Sequence, residues 1–476
     1  MFLVMINRQG NQDPMMSTIL RSTQWLTLHG LIVVVGLLAY VLTSHSLQQR
    51  RSPTAAISWV LAIALIPYLG LPLYLMFGTR KFAHSHLPAH AMPMPGPEAA
   101  WPRQLAAAMG QPPVASYHGL ELHADGKQAL EALWAVIDGA RHELVLCTFI
   151  VGRDAIGRAL VERLIAKAQQ GVKVRLLIDG VGRMMGGAVD LRKLRESGVQ
   201  VALYGPLLHV PFRSSANLRN HRKMVVADAT RLWCGGRNFA AEYFEAARRR
   251  QAWRDLSFAL AGPLAAQARD LFEHDWAFAT GAPPAIGDLP TLPGFAVAEP
   301  CAQVIASGPD QADDTVHDLL VTACFKAHTR ILATTPYFVP GDALLMALAL
   351  AARRGVAVDL VLPRRSNHHM ADFVRHRGLR ALCVAGGRVW LTPYMLHAKA
   401  VVVDTDLALA GSLNLDARSL FLNYEMMVAF YAPADVERFA GFIEEHRRVG
   451  ERYVGRPPGL LRDLGEGLAL WMAFQL

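Results

Sequence analysis

Two long apolar segments dominate the pattern of hydrophobic and polar residues near the N-terminus. The first covers residues 25–43 and contains no acidic or basic side chain apart from His29. At ~1.5 Å of rise per residue, a helix of this length just spans a ~30 Å hydrocarbon core. The second segment covers residues 55–77, and a short polar link separates the two. The pattern predicts a transmembrane helical hairpin, with helices at about 25–43 and 55–77.

The second segment is interrupted by Pro67, Gly70 and Pro72. A bilayer tolerates such breaks where neighbouring groups satisfy the freed backbone carbonyls. A cleaved signal peptide is one alternative for the first segment, but a second apolar run follows it at once. A buried hairpin in a soluble protein is the other alternative, and two runs of spanning length argue against it.

From about residue 116 the pattern changes to alternating helix and strand signals, which is typical of an α/β fold. The alternation then repeats, and the segments QQGVKVRLLI and RRGVAVDLVL align from Gly171 and Gly355. An internal repeat of this length predicts duplicated domains packed about a pseudo-twofold axis. The predicted organisation is a membrane hairpin at 1–81, a linker rich in Pro, His and Ala at 82–115, and two domains at 116–295 and 296–476.

An octad motif occurs at matched places in the two repeats. Its shared residues are His221, Lys223 and Asp228 in HRKMVVAD, and His397, Lys399 and Asp404 in HAKAVVVD. The β-branched middle of each octad predicts a strand, in which residues two apart point to the same face. The histidine and lysine of each octad are therefore expected to project together. A small-residue turn and an asparagine follow each octad, Asn238 in CGGRN and Asn414 in AGSLN.

Composition adds two constraints. The net charge of +9 favours anionic partners, which could be phosphate, nucleic acid or an anionic bilayer, and the 52% of hydrophobic residues is high for a wholly soluble protein. The five cysteines are widely spaced, without a CxxC pair or a Cys/His cluster of zinc-ligand spacing. The sequence therefore predicts neither a metal site nor a cofactor.

The paired octads suit phosphoryl transfer. One imidazole could attack phosphorus and form a phosphohistidine, while the other protonates the leaving alkoxide and then deprotonates the incoming alcohol. Two lysines and two asparagines could hold the non-bridging oxygens as negative charge shifts onto them. Each histidine also needs a partner on its other ring nitrogen, and the candidates are Asp255 in WRD and Glu425 in NYE.

Two simpler interpretations compete with this one. A single octad would be read as a strand with polar ends, but two octads at matched places, each with its turn and asparagine, argue against that. A metal site is disfavoured because a lysine beside each histidine repels cations.

The octads resemble the signature of the phospholipase D superfamily, His-x-Lys-x-x-x-x-Asp occurring twice. Within it, the chain resembles the bacterial cardiolipin synthases in the blocks NLRNHRKMVVAD, GGRNFAAEYF, TPYFVP, LHAKAVVVD and GSLNLDARSLFLNYE. The resemblance covers roughly residues 50–450. It implies an α/β fold of duplicated phospholipase D-type domains, each a central sheet flanked by helices, which share one active site and follow the N-terminal transmembrane hairpin.

The resemblance also implies roles for the motif residues. The implied catalytic set is His221, Lys223, Asp228, His397, Lys399 and Asp404. Within this set the nucleophile is expected to be His221 and the acid/base His397, and the octad aspartates are expected to have a structural or supporting role. The implied phosphate-binding and supporting set is Asn238, Asn414, Asp255 and Glu425, in which the acidic residues orient the histidines.

The implied reaction joins two phosphatidylglycerols into cardiolipin and releases glycerol, in a multi-pass protein of the bacterial inner membrane. Phosphatidylglycerol and anionic membrane lipids are the expected partners, nucleic acid is not, and the oligomeric state is left open. One alternative is a phospholipase D that hydrolyses phospholipids or transfers the phosphatidyl group to another alcohol. A nuclease is disfavoured by the hairpin, and a degenerate lipid-binding scaffold by the two intact octads.

The C-terminal segment RRVGERYVGRPPGLLRDLGEGLALWMAF permits two interpretations. It could close on the bilayer as an amphipathic end, or it could pack as ordinary domain structure.

Overall fold

A computed structural model describes residues 14–46, 53–78, 100–187, 189–205, 218–245, 252–284 and 300–473. The chain divides into two compact units. One is an N-terminal helical unit, and the other is a larger α/β unit whose described part begins at residue 100.

The described residues of the N-terminal unit form α1 (Pro14–Ser46), α2 (Pro53–Leu65) and α3 (Pro67–Phe77). The first predicted helix, at 25–43, lies within α1, which extends beyond it at both ends. In the part of the chain that the structure describes, one stretch is long and apolar enough to cross a membrane, Thr23–Ser44, with a mean hydropathy of 2.2.

The second predicted helix, at about 55–77, is divided in the structure into α2 and α3, because the chain bends at Ile66. Pro67 has no backbone N–H and disfavours a helical conformation in the residue before it, and Ile66 has ψ 62°. The start of α3 then approaches α2 so closely that a Cβ at Gly70 would collide with the Ala62 carbonyl. At ~1.5 Å per residue, α2 reaches only about 20 Å, which is short of a ~30 Å hydrocarbon core.

Residues 100–116 form α4 (Trp101–Ala108) and β1 (Ala115–Ser116). The elements of the first half follow in chain order: β2 (His118–His123), α5 (Gly126–Asp138), β3 (Glu143–Thr148), α6 (Ala155–Gln169), β4 (Lys173–Asp179), α7 (Gly180–Met185), α8 (Leu191–Glu196), β5 (Gln200–Tyr204), β6 (Met224–Ala227), β7 (Arg231–Gly235), β8 (Ser257–Ala261) and α9 (Leu264–Thr280). A 3₁₀ turn at Ala241–Tyr243 lies between β7 and β8.

The second half repeats this series and adds elements at its end. In chain order they are β9 (Cys301–Ser307), α10 (Thr315–Lys326), β10 (Arg330–Thr334), β11 (Phe338–Val339), α11 (Asp342–Arg353), β12 (Ala357–Pro363), α12 (His369–Val384), β13 (Arg388–Thr392), β14 (Ala400–Val403), β15 (Leu407–Gly411), β16 (Leu415–Asp416), α13 (Ala417–Phe421), β17 (Glu425–Phe430), α14 (Pro433–Val449), β18 (Glu451–Arg452) and α15 (Leu460–Ala473).

The two halves contain the same sheet. Its strand order is β2-β8-β7-β6-β3-β4-β5 in the first half and β9-β17-β15-β14-β10-β12-β13 in the second, with β1 and β18 added at the edges. In both sheets the octad strand, β6 or β14, lies at the centre and runs antiparallel to its two neighbours. The predicted duplication of an α/β domain is confirmed.

Matched glycines explain why the repeat is visible in the sequence. Gly171 follows α6 with φ 85°, and Gly355 follows α11 with φ 95°. Glycine adopts this left-handed conformation at the end of a helix without the steric cost that a Cβ imposes. Each half thus ends one helix sharply and turns directly into the next parallel strand, β4 or β12.

The sheets enclose a core that both halves share. Its buried aromatic centre contains Phe258 of β8, Phe430 of β17 and Phe439 of α14, with rings 4.8–6.2 Å apart. Strands of both sheets and helices α9 and α14 supply its other apolar side chains, while α5, α6, α8 and α10–α12 cover the outer faces of the sheets. Because the halves bury apolar surface against each other, the relative position of the two octad strands is fixed.

Residues 100–116 differ from the prediction of an unstructured linker over 82–115. Ala106 of α4 is fully buried in the core of the second half, and Ala115 of β1 pairs with Ala302 of β9. This part of the predicted linker therefore belongs to the fold of the second half. Residues 82–99 and the predicted domain boundary at 295/296 lie outside the described residues.

Candidate active site

The octad histidines lie in extended segments that lead into the central strands, and the other half of the protein holds each segment. The His221 N–H donates to the carbonyl of Tyr424 (2.9 Å), and the His397 N–H donates to the carbonyl of Arg254 (2.6 Å). Parallel bridges join Asn220 to Tyr424 and Arg254 to Leu396. His221 is therefore placed beside Glu425, the residue after Tyr424, and His397 beside Asp255, the residue after Arg254.

Those following residues are the two predicted carboxylates, and they pair with the histidines crosswise. Nδ1–H of His221 donates to Oε1 of Glu425 (2.9 Å), and Nδ1–H of His397 donates to Oδ2 of Asp255 (2.7 Å). The sequence indicated both carboxylates but not this pairing. Since each histidine comes from one half and its carboxylate from the other, a single half contains no complete histidine–carboxylate pair.

The two carboxylates are held differently. Oε2 of Glu425 accepts a hydrogen bond from the Ser412 hydroxyl (2.5 Å), whereas Oδ1 of Asp255 accepts one from the Leu256 N–H (2.7 Å). The residue matching Ser412 in the first half is Gly236, where a Cβ would collide with the Asp255 carboxylate. Burial favours protonation of both acids, but their partners outweigh it. Lys399 and the hydrogen bond from His397 lower the pKa of Asp255, and the hydrogen bond from His221 and the charge of Lys223 lower that of Glu425. Both acids are therefore ionised acceptors.

The two octad lysines are buried against the histidine backbone. Nζ of Lys223 donates to the carbonyl of His221 (2.7 Å), and Nζ of Lys399 donates to that of His397. Lys399 Nζ also lies 2.7 Å from Nδ1 and 3.2 Å from Nε2 of the His397 ring. Burial lowers the pKa of Lys223 to about 8 and that of Lys399 to about 7. A bound anion would raise both values, because it stabilises the protonated ammonium groups.

Both histidines are neutral in the free site. Burial lowers the pKa of His221, with Glu425 opposing this shift and Lys223 and Lys399 adding to it. Burial and Lys399 lower the pKa of His397 to about 3 against the opposing effect of Asp255. Because Nδ1–H is committed to a carboxylate in each ring, the lone pair lies on Nε2, where it can attack phosphorus or accept a proton.

The asparagines after the octads lie at the same site. The Asn238 amide donates to the Tyr243 hydroxyl (2.8 Å) and accepts from the Ile150 N–H (3.3 Å). The Asn414 amide donates to Ser419 Oγ (3.3 Å), and its buried Oδ1 has no hydrogen-bond partner among the described residues. Asn238 is therefore fixed at both ends and Asn414 at one.

The octad aspartates lie at the opposite end of the central strands from the histidines. Asp228 accepts hydrogen bonds from the backbone N–H groups of residues 141–143 at 2.7–2.9 Å. Asp404 accepts them from His328, Thr329 and Arg330 at 2.8–2.9 Å. These bonds anchor the end of β6 to the start of β3 and the end of β14 to the start of β10.

Aromatic rings that the sequence did not single out flank the histidines. Around His397 the ring centroids lie at 5.2 Å for Tyr243, 5.3 Å for Trp253 and 6.4 Å for Tyr337. Phe149 packs against His221 at 5.3 Å. Tyr243 lies in the block GGRNFAAEYF and Tyr337 in the block TPYFVP. Both blocks resemble those of the bacterial cardiolipin synthases, and this resemblance was the signal in the sequence that could have identified the two tyrosines.

Comparison with known proteins places this geometry in a family. A model of the family described as "Cardiolipin synthase, PLD-like domain" matches residues 133–276 and 320–447, which together make up more than half of the chain. The chain belongs to this family of phospholipase D-like cardiolipin synthases. A second model, "Phospholipase_D-nuclease N-terminal", matches residues 31–78 of the N-terminal unit.

Individual relatives agree with membership of the cardiolipin synthase family. The chain is 34% identical over 446 residues to a cardiolipin synthase A of Pseudomonas aeruginosa, with 89% of each chain covered. It is 32% identical over 419 residues to that of Pseudomonas entomophila, covering 83% of this chain and 87% of the other. The crystal structure of a Haemophilus influenzae phosphatidylserine synthase has the same fold, with a TM-score of 0.62, 13% identity and coverage of 79% of this chain and 100% of the other.

The position of Asp404 leads to a first prediction. Asp404→Ala should destabilise the protein by about 2–4 kcal/mol, because it leaves three partly buried backbone N–H groups without their acceptor, while the turnover of the remaining folded enzyme stays within a few-fold of wild type. Since folding lowers the pKa of this carboxyl, the stabilisation is present above about pH 4 and is lost as the pH falls. Urea unfolding and turnover per folded molecule measure the two effects.

The matched control for this prediction is Asp406→Ala, which removes an exposed carboxylate two residues away. It should change neither stability nor turnover. A loss of turnover of about a hundredfold in Asp404→Ala at unchanged stability would instead give Asp404 a direct part in catalysis.

Proposed function

We propose that this chain is a membrane phosphatidyltransferase that forms cardiolipin from two phosphatidylglycerols and releases glycerol. The crossed site carries the proposal, because it presents two histidines, each oriented by a carboxylate at Nδ1, beside two buried lysines. Membership of the cardiolipin synthase family and identity to relatives of that name support the choice of substrate.

In the first step, Nε2 of His221 attacks the phosphorus of one phosphatidylglycerol. The Nε2–P bond forms as the bond from phosphorus to the glycerol oxygen breaks, and His397 gives its proton to that oxygen. His221 suits the nucleophilic role because 15% of its side chain is exposed, against 5% for His397. Glu425 stabilises the positive charge that develops on the His221 ring.

In the second step, a hydroxyl of another phosphatidylglycerol attacks the phosphohistidine. His397, now neutral, accepts the hydroxyl proton as the new O–P bond forms and the Nε2–P bond breaks. The low pKa of His397 keeps it ready for this base role, whereas the first step requires the anionic substrate to raise that pKa. Asp255 keeps Nε2 directed at the reacting oxygen throughout both steps.

The two lysines supply positive charge to the non-bridging phosphoryl oxygens. Both ammonium groups are buried, so their interaction with a phosphate is only weakly screened by water. The Nδ2 group of Asn414 donates one of its two hydrogens to Ser419 Oγ and can donate the other to a phosphoryl oxygen. The octad aspartates act in this scheme as positioning residues that hold the central strands.

Membrane attachment favours transfer over hydrolysis. Helix α1 contains the candidate span Thr23–Ser44, and we propose that the protein is a multi-pass protein of the bacterial inner membrane. Tethering the site to a surface crowded with lipid hydroxyls raises their effective concentration relative to a free enzyme. Tyr243, Trp253 and Tyr337 add an apolar enclosure around His397 that limits access of water.

The roles of the two histidines can be separated with phosphatidyl-p-nitrophenol, a substrate whose leaving group needs no protonation. In His397→Ala, we expect one equivalent of nitrophenolate per enzyme followed by a stall, because formation of the phosphohistidine no longer needs the acid but its breakdown needs the base. In His221→Ala, we expect no release. Stopped-flow absorbance measures both results.

The control for these variants is His328→Ala, whose side chain is 85% exposed and which should retain wild-type turnover. A burst in His221→Ala but not in His397→Ala would reverse the assigned roles. Near-normal turnover in either variant would contradict the two-histidine mechanism.

The transferase assignment predicts the product in vesicles of phosphatidylglycerol. Cardiolipin should be the main product and phosphatidic acid a minor one, as measured by lipid mass spectrometry. Because transfer exchanges one phosphodiester for another, the step should lie near equilibrium, and added glycerol should convert cardiolipin back to phosphatidylglycerol. Dominant phosphatidic acid without an effect of glycerol would identify a phospholipase, and the histidine chemistry would remain.

A further inference from the structure

Helix α15 exposes four leucines on one side, whereas the carboxylate of Glu466 on its other side is buried. Leu460, Leu461, Leu464 and Leu468 are exposed by 75%, 86%, 62% and 60%. Their spacing places them within one arc of the helix surface. On the opposite side Glu466 is fully buried and forms ion pairs with Arg380 of α12 and Arg462 of α15.

This orientation is the reverse of the arrangement that water favours. A surface helix of a soluble protein turns its leucines toward the core and its carboxylates toward solvent. The ion pairs of Glu466 fix α15 in the reversed orientation against α12. The exposed stripe therefore indicates an apolar environment outside the protein.

The stripe continues onto the start of α12, which leads to the active site. Met370 and Phe373 of α12 are exposed by 41% and 40%, and Gly465 of α15 lies next to the Phe373 ring. Asn367, just before α12, accepts a hydrogen bond from the hydroxyl of Tyr337 (2.5 Å), whose ring flanks His397. The apolar surface and the site of the chemistry are thus joined through a few residues.

The surroundings of the stripe are basic. Residues 364–384 and 450–473 contain eight arginines against four acidic residues, and three of those acids, Asp372, Glu451 and Glu466, pair with arginines. Basic residues near an anionic lipid surface are attracted to it. Leucines flanked by arginines are the composition of a helix that lies in the interface of an anionic bilayer.

We propose that α15 and the start of α12 form an apolar docking surface that inserts into the anionic bilayer and brings the active site to the lipid headgroups. The docking surface consists of Leu460, Leu461, Leu464, Leu468, Met370 and Phe373. It is an attachment additional to the N-terminal apolar helix. The proposal rests on the proposed function in one respect, namely that the enzyme takes its lipid substrate from the bilayer.

Lipid contact is tested by attaching an environment-sensitive fluorophore at Leu464→Cys in the full chain. The background is Cys383→Ser, because the other cysteines are buried. In vesicles of phosphatidylglycerol with a lipid that carries a spin label in its acyl chain, the fluorophore should be blue-shifted and quenched. The matched control is the same fluorophore at Glu131→Cys on α5, where the native side chain is 66% exposed and no quenching is expected.

The functional consequence is tested with Leu461→Glu/Leu464→Glu. On vesicles this variant should lose about tenfold or more in kcat/KM, because two leucines of the docking surface are replaced by charges that the bilayer interior does not accept. On monomeric dihexanoyl phosphatidylglycerol and on phosphatidyl-p-nitrophenol with short chains, it should stay within about twofold of wild type. The control Phe325→Glu/Met346→Glu changes two apolar side chains that are exposed by 52% and 59% on α10 and α11, and it should match wild type on all substrates.

The proposal is supported only by quenching at residue 464 together with a loss confined to vesicles. Absence of lipid quenching overturns it, including the case where the stripe is covered by a second copy or by the N-terminal helices of the same chain. An equal loss on soluble substrates, or no loss on vesicles, overturns it as well. Quenching does not depend on the product formed, so failure of the cardiolipin synthase assignment would be recognised separately.

Discussion

Two hydrogen bonds between histidine and carboxylate, each crossing from one half of the protein to the other, define the active site. Glu425 of the second half orients His221 of the first, and Asp255 of the first half orients His397 of the second. In each ring the Nδ1–H donates to the carboxylate of the other half, so Nε2 is the nitrogen that takes part in the reaction. Because each histidine is oriented by a carboxylate of the other half, both halves must be present and correctly docked before either histidine is oriented. The duplicated fold therefore contains one active site and not two.

The rest of the fold holds these two bonds in register. The shared core around Phe258 and Phe430 fixes the central strands against each other, and backbone bridges at Tyr424 and Arg254 set the position of each histidine. At the far ends of the strands, the octad aspartates bind backbone N–H groups of the neighbouring strands. The halves are nevertheless chemically different, because Ser412 supports one carboxylate where Gly236 makes room for the other, and because three aromatic rings flank His397 whereas Phe149 packs against His221.

Local patterns in the sequence predicted the duplicated α/β fold, the first apolar helix and the residues of the site, since octads, helix-ending glycines and apolar runs are encoded within short stretches. Features that depend on tertiary contacts were not predictable in this way. Asp255 and Glu425 each follow an asparagine of their own half, so the sequence does not distinguish same-half from crossed pairing. The packing of α4 depends on α10, and the outward leucines of α15 depend on the ion pair between Glu466 and Arg380. An amphipathic pattern indicates that a helix has two faces, but not which one the protein covers.

Double-mutant cycles on unfolding free energy test the crossed pairing most directly. The four variants are His221→Gln, His397→Gln, Asp255→Asn and Glu425→Gln, combined in all histidine–carboxylate pairs and unfolded with urea in detergent. The crossed pairs, His221 with Glu425 and His397 with Asp255, should show coupling free energies of about 1–3 kcal/mol, whereas the same-half pairs should be additive within about 0.5 kcal/mol. Coupling in the same-half pairs that equals or exceeds that in the crossed pairs would contradict this account of the site.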